Sequence, residues 1–286
     1  MQVVVPATVP LSTAGRPALL KRLASAGVLL PVFLLIVVKA PDWAFNALVV
    51  VASAVALWEL MRLFEQGERR VYRTLGVIAG TAVTASFAAA QVLHPTTLPA
   101  LVLALAVGAV LSAPLWDPAP STEPAANTLL AILYIGWLLG YGILLHDTSP
   151  FGDERVIFLV GVTWIGETSA YLVGSAIGRH KLAPVISPKK TVEGAMAQVV
   201  ASVLAAALLG TWLLPQCATG VAVAAGLLLG VVGQVGDLAE SVIKRSIGTK
   251  DTGRLIPGHG GVLDRIDSLL FNLPAFYYFT LLVGCR

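Results

Sequence analysis

The sequence predicts an all-α integral membrane protein, a polytopic bundle of about nine transmembrane helices, and three observations carry that prediction. Mean hydropathy is +0.83, and only 12% of the 286 residues are charged against 57% apolar. A soluble domain needs about a quarter of its residues charged. The apolar residues fall into runs near the ~20 that a helix needs to cross the hydrocarbon while satisfying its own backbone. The basic residues fall between those runs on alternate sides, as the positive-inside rule requires.

Taken in order, residues 1–22 read as a cytoplasmic tail, without charge before Arg16. Five scaffold helices are expected within 23–147, at 23–38, 43–63, 74–92, 98–116 and 127–146. Only His94 to Thr97 separate the third from the fourth, which predicts a tight hairpin. A charged start followed by an apolar run also resembles a signal peptide, but no small-residue cleavage site follows Val38, so the first helix is read as retained. Helices at 155–178, 194–214, 219–243 and 269–284 make up a C-terminal catalytic region, 155–286, with long loops at 179–193 and 244–268. In this half the helices themselves carry carboxylates, amides and glycines, whereas the first half is mostly Ala, Val and Leu.

With the N-terminus inside, sixteen of the 19 basic residues lie on the cytoplasmic side, and only Lys39, Arg155 and Arg286 lie opposite. The net charge of +3 follows from this bias, and no aromatic-basic interleaving points to nucleic acid. Cys217 and Cys285, near outer helix ends, are read as spectators.

Charge is concentrated in SVIKRSIGTKDTGRLIPGHGGVLDRIDS, Ser241 to Ser268. Just upstream, Asp237, Glu240, Ser241 and Lys244 share one helix face. A carboxylate in a membrane helix is costly without a partner, an ion or water. Glu240 has Lys244 one turn on, so an interfacial ion pair explains it as well as a functional role does; Asp237, deeper, is the better metal ligand. Asp264 and Asp267 lie one turn apart before the last span, a pattern that suits a hard divalent cation completing its shell with substrate phosphate. The bland reading is a pair of helix-start acids favoured by the macrodipole.

Gly258, Gly260 and Gly261 can bring backbone amides to an anion, flanked by Lys244, Arg245, Lys250 and Arg254 on one side and Asp264 on the other. Positive charge for phosphate beside negative charge for a metal points to phosphoryl or nucleotidyl transfer. His259 could hold a phosphate oxygen or be structural. In GRHKLAPVISPKKTVEG, Gly178 to Gly194, Ser187 and Pro188 read as a helix cap and first-turn proline, which puts Lys189 and Lys190 at a helix start, placed for an anion or for lipid headgroups. Glu167, in a helix with Tyr171 one turn on, is a site candidate of open role.

Together these residues resemble the phosphatidate cytidylyltransferases, the CDP-diacylglycerol synthases. The resemblance rests on the S-x-x-K-R start at Ser241, the Lys250-Asp251 pair, the P-G-H-G-G turn and the closing L-D-R-x-D, and extends upstream through GDLAES and KLAPVISPKKTVEG. It implies transfer of CMP from CTP to phosphatidic acid, with pyrophosphate leaving, at the bacterial inner membrane. Carried over, Asp237, Asp264 and Asp267 hold magnesium (Mg2+). Lys244, Arg245, Lys250, Asp251 and His259 form the catalytic set, and Lys189, Lys190, Ser241, Gly260, Gly261 and Arg265 bind substrate. A second, monovalent cation (K+) and a homodimer are further implications. At Glu167 many relatives carry aspartate, so its role stays open, as does that of Glu240. Two other readings compete: transfer to an isoprenoid-type lipid phosphate, and an ion-coupled transporter. The transporter reading predicts midplane charges and repeat symmetry, which the sequence lacks.

Overall fold

A computed structural model describes residues 27, 30–90, 97–148, 150–249, 252 and 260–284. Among them are nine helices in the predicted order. They are α1 (Leu30–Lys39), α2 (Asp42–Gln66), α3 (Arg73–Ala89), α4 (Thr97–Ser112), α5 (Thr122–His146), α6 (Gly152–Ile177), α7 (Val192–Leu213), α8 (Thr219–Ser246) and α9 (Leu263–Val283). Seven of these, α2 and α4 to α9, are long and apolar enough to cross a bilayer, α4 with the short 3-10 turn Ala113–Trp116 that follows it. The protein is therefore an all-α polytopic membrane protein. The expected turn between the third and fourth helices lies outside the described residues.

Side-chain contacts fix which helix ends lie together. Arg70, between α2 and α3, donates to both carboxylate oxygens of Asp117, between α4 and α5, at 2.8 and 2.6 Å. Glu59, near the end of α2, reaches the start of α9. At the opposite end His146 of α5 lies 3.2 Å from Asp153 of α6 and stacks on Phe45 of α2. The helices thus run up and down, and among the described residues the basic segments 62–73, 179–190 and 244–245 share one end.

Helix α5 is the most enclosed span. It contacts α2 and α3 on one flank and α6 and α9 on the other. A π-helical stretch, Ile132–Trp137, interrupts it and turns Tyr134 inward. The core around it is apolar and aromatic, with Leu57, Phe87, Ile135, Phe158 and Phe276 buried. Burying apolar surface drives no assembly inside lipid, so close packing and hydrogen bonds between helices hold the bundle. Ser53 and Thr84 bond at 2.7 Å between α2 and α3, and Asn272 of α9 donates to Thr163 of α6 at 2.9 Å. Helices α6 to α9 pack successively in chain order.

Candidate active site

A cavity of about 560 Å³ opens at the basic end, among α6, α7, α8 and the segment joining α6 to α7. Glu167, Lys181, Lys189, Lys190, Gln234 and Asp237 contribute its polar lining. The Lys190 ammonium lies 2.6 Å from the Asp237 carboxylate.

The roof of the cavity corrects one expectation. Ser187 and Pro188 do not start a helix. Ser187–Thr191 is a strand, β2, paired antiparallel with β1, Lys181–Ala183. The helix cap is Thr191, whose extended backbone (φ −124°, ψ 154°) precedes α7 and whose hydroxyl accepts from the Gly194 amide at 3.2 Å. Satisfying an orphan amide this way is what N-capping requires. Two clasps hold the hairpin: Arg245 donates to the Ile186 carbonyl at 3.1 Å, and Glu193 accepts from the His180 ring at 2.7 Å. Lys189 and Lys190 thus sit on a strand over the cavity mouth, and helix-start geometry does not apply to them.

Beside the cavity lies a second polar cluster. Lys244 bridges Glu240, one turn back, and Asp264 of α9, the latter at 2.8 Å. Asp264 also accepts from the Gly261 amide at 2.8 Å and from the hydroxyl and amide of Thr252 at 2.9 and 3.2 Å. Gly260 has φ +86°, a left-handed conformation that favours glycine. A Cβ there would meet the Asp264 carboxylate at 2.7 Å, and one on Gly261 would meet Glu59 at 2.6 Å. The two glycines therefore let backbone approach two carboxylates. Glu59, nearly fully buried in α2, accepts from the Val262 and Leu263 amides at 3.1 and 3.0 Å and so caps α9 from another helix.

Asp267 joins the two clusters. A Cβ on Gly236 would meet the Asp267 carbonyl at 2.8 Å, so only glycine lets α8 and α9 touch here. Asp267 lies within electrostatic range of Asp237 and Glu240. The buried Tyr134 of α5 lies within electrostatic range of Glu240, Asp267 and Asp237. Its hydroxyl is buried without a hydrogen-bond partner among the described residues. Glu167 lies close to Asp267, Asp237, Ser268 and Arg265.

Of the site residues expected from sequence, Lys189, Lys190, Glu167 and Asp237 meet at the cavity, and Glu240, Lys244, Gly260, Gly261 and Asp264 meet beside it. Ser241 is half-buried on α8, and Arg265 is exposed on the first turns of α9. Arg245 is committed to backbone carbonyls of the hairpin and of Thr249. Lys250, Asp251, Arg254, Gly258, His259 and Cys285 lie outside the described residues. Reading the sequence missed Glu59, Thr252, Gln234 and Tyr134. For Glu59 a signal existed, an acid inside an otherwise apolar helix. Thr252 and Tyr134 had none.

Among the described residues no three acids, histidines or cysteines form a ready metal cage. The donor set still suits magnesium, which needs only one or two carboxylates when phosphate and water complete its shell. Asp237 borders the cavity, Asp267 lies within electrostatic range of Asp237, and Glu240 is near Asp267. Asp264, already bound by Lys244, Thr252 and Gly261, could join only by releasing a partner.

A family model described as the Cytidylyltransferase family matches residues 20–283. The chain belongs to this family. Similar curated proteins include the phosphatidate cytidylyltransferases of Brucella abortus biovar 1 (strain 9-941), 46% identical over 156 residues, and of Staphylococcus saprophyticus, 41% identical over 150 residues. The matches cover 54% and 52% of this chain and 56% of each relative. A protein of Escherichia coli (strain K12) named as uncharacterized protein YnbB is 44% identical over 153 residues, 53% of this chain and 50% of its own length. The chain thus spans about half the length of the curated relatives it matches.

Proposed function

We infer that this cytidylyltransferase carries CMP from CTP to phosphatidate, yielding CDP-diacylglycerol and pyrophosphate for phospholipid biosynthesis, at a site facing the cytoplasm of a bacterial inner membrane. The observation that carries the reading is the cavity itself, where Lys181, Lys189 and Lys190 sit opposite Asp237 at one end of a membrane bundle. Two anionic substrates repel each other, and fixed cationic side chains offset that repulsion without reorganising in the transition state.

In this reading a phosphate oxygen of phosphatidate attacks the α-phosphorus of CTP. The new bond is Pα–O–P to the lipid, and the bond from Pα to the bridging β-phosphate oxygen breaks, so pyrophosphate leaves with the electron pair. The attacking phosphate is already anionic, so no strong general base is needed. Lys190, paired with Asp237 in this structure, would turn its ammonium toward substrate phosphate, and Asp237 and Asp267 would hold magnesium. When bound, magnesium supplies charge neutralisation on the phosphates. Lys244 keeps Asp264 and Glu240 in place between α8 and α9. The monovalent cation and the homodimer belong to the proposal through the family resemblance.

The test uses the purified full chain in phosphatidate-containing vesicles with CTP and magnesium, with pyrophosphate release followed over time. Release should require phosphatidate and fall at least about tenfold in Lys190→Met, the scale of losing a charged contact to the transition state. Release that proceeds equally without phosphatidate would overturn the reading.

A further inference from the structure

The polar cavity does not end at its lysines. A second, apolar hollow of about 340 Å³ lies along α7, over Val192, Met196, Val199 and Val200. Both hollows are lined by Ala195 and Gln234, so they adjoin at one seam between α7 and α8. The seam is fixed: the Gln234 amide donates at 3.0 Å to the carbonyls of Ala195 on α7 and Gly230 on α8. On one side of it the lining is charged, with Lys181, Lys189 and Lys190 beside Glu167 and Asp237, and on the other it is mostly hydrocarbon.

The apolar side faces outward. Met196, Val200, Leu204, Leu208 and Trp212 recur every fourth residue along α7 and are all exposed, Trp212 by 82%. Such a ridge belongs against lipid, with the tryptophan at the far interface. From Val192 to Val200 a helix rises ~12 Å, close to the ~15 Å of one leaflet's hydrocarbon. The groove therefore starts at phosphate level beside Lys190 and runs down about one acyl-chain depth.

We propose that the groove over Val192, Met196 and Val200 is the acyl-chain subsite of the lipid phosphate, and that Val200 and Met196 set which chains it accepts. The proposal rests on the reading of the cavity as a lipid-phosphate site. It commits to an acyl chain because the groove adjoins a pocket bearing three lysines and lies on the exposed face of α7, a combination that fits an amphiphile with an anionic head. The phosphate lies among Lys189, Lys190 and Lys181, and one chain lies across the outer face of α7.

The test has two arms on the full chain. In the first, phosphatidate carrying a photoreactive diazirine partway along one acyl chain is crosslinked to wild-type protein in vesicles, and the modified peptide is identified. Label should fall within 192–200; label spread evenly over the lipid-facing helices, or confined to other helices, would overturn the groove whatever the turnover. In the second, Val200→Trp is compared with Leu208→Trp, two turns further along the same exposed ridge. Val200→Trp should raise KM for dioleoyl phosphatidate about tenfold and leave dihexanoyl phosphatidate within about twofold, the discrimination a filled apolar pocket gives. Leu208→Trp should alter neither. Equal loss on both substrates, with a changed particle mass in detergent, would assign this face to a second copy of the chain and overturn the proposal. Crosslinking within the groove by a protein that turns over neither lipid would leave the subsite standing and refute only the reaction.

Discussion

Glu59→Ala should loosen the start of α9, a consequence of a contact between residues more than two hundred positions apart. The Glu59 carboxylate takes the Val262 and Leu263 amides at 3.1 and 3.0 Å and is 2% exposed, so no water can replace it. A hydrogen bond to a charged group contributes ~1.5–3 kcal/mol, and a buried donor left alone costs ~1–3 kcal/mol. Relaxation of the first turn recovers part of this, so the net effect of losing both bonds is set at about 3 kcal/mol, or roughly a hundredfold in the local opening equilibrium. Hydrogen–deuterium exchange in detergent reads that equilibrium directly at Val262 and Leu263. Their exchange should quicken by about two orders of magnitude in Glu59→Ala and by about one in Glu59→Gln, which keeps one acceptor oxygen. Glu65→Ala, which removes only an exposed pair with Arg73, should leave these amides unchanged because surface pairs contribute ~0–1 kcal/mol. Wild-type exchange at both amides in Glu59→Ala would refute the capping argument.

Lys244→Met leaves Glu240 and Asp264 facing each other without their shared cation, and breaking such a buried pair costs ~3–5 kcal/mol, so the melting temperature in detergent should drop sharply. Adding Glu240→Gln should recover part of the loss; no recovery would mean that Lys244 acts otherwise. The Asp117 carboxyl is held below the ordinary aspartate value of 3.8, first by the Ala119 amide and then by Arg70. Its folded pKa is depressed, so its contribution is complete above the unfolded value and disappears as pH falls through the folded one. A spin-label distance between the 67–72 and 117–121 loops should therefore hold at pH 5 and lengthen only well below pH 4, and Asp117→Asn should lengthen it at every pH.

The helices were legible in the sequence because the bilayer permits little else. An apolar run of sufficient length has to be a helix, and the alternation of basic loops assigns its direction. The observed bounds of α6 to α9 differ from expectation mainly at polar ends, such as the start of α9 at Leu263, where hydropathy fades while backbone hydrogen bonding continues. The hairpin was not legible. Ser187-Pro188 is as good a helix cap as a strand start when read locally, and what decides between them is the pairing with Lys181–Ala183, a tertiary fact. The cluster at Asp237, Glu240 and Asp264 could be seen as a group of charges, but its division of labour could not. Lys244 and Asp264 look like a phosphate ligand and a metal ligand in sequence, and the fold binds them to each other. Glu59 and Tyr134 lie in the first half of the chain, where charge density offered no reason to search. They reach the site because α2 and α5 pack against α9.

In the proposed reaction a CMP unit moves onto a lipid phosphate. Two parallel incubations of purified protein with phosphatidate vesicles test it most directly, one with CTP labelled at the α-phosphorus and one with CTP labelled at the γ-phosphorus. CMP transfer should put α-label in the organic-extractable lipid and γ-label only in water-soluble pyrophosphate, with at least about a tenfold loss of lipid label in Asp237→Asn. Gamma label in the lipid, or α-label incorporation unaffected by Asp237→Asn, would contradict it.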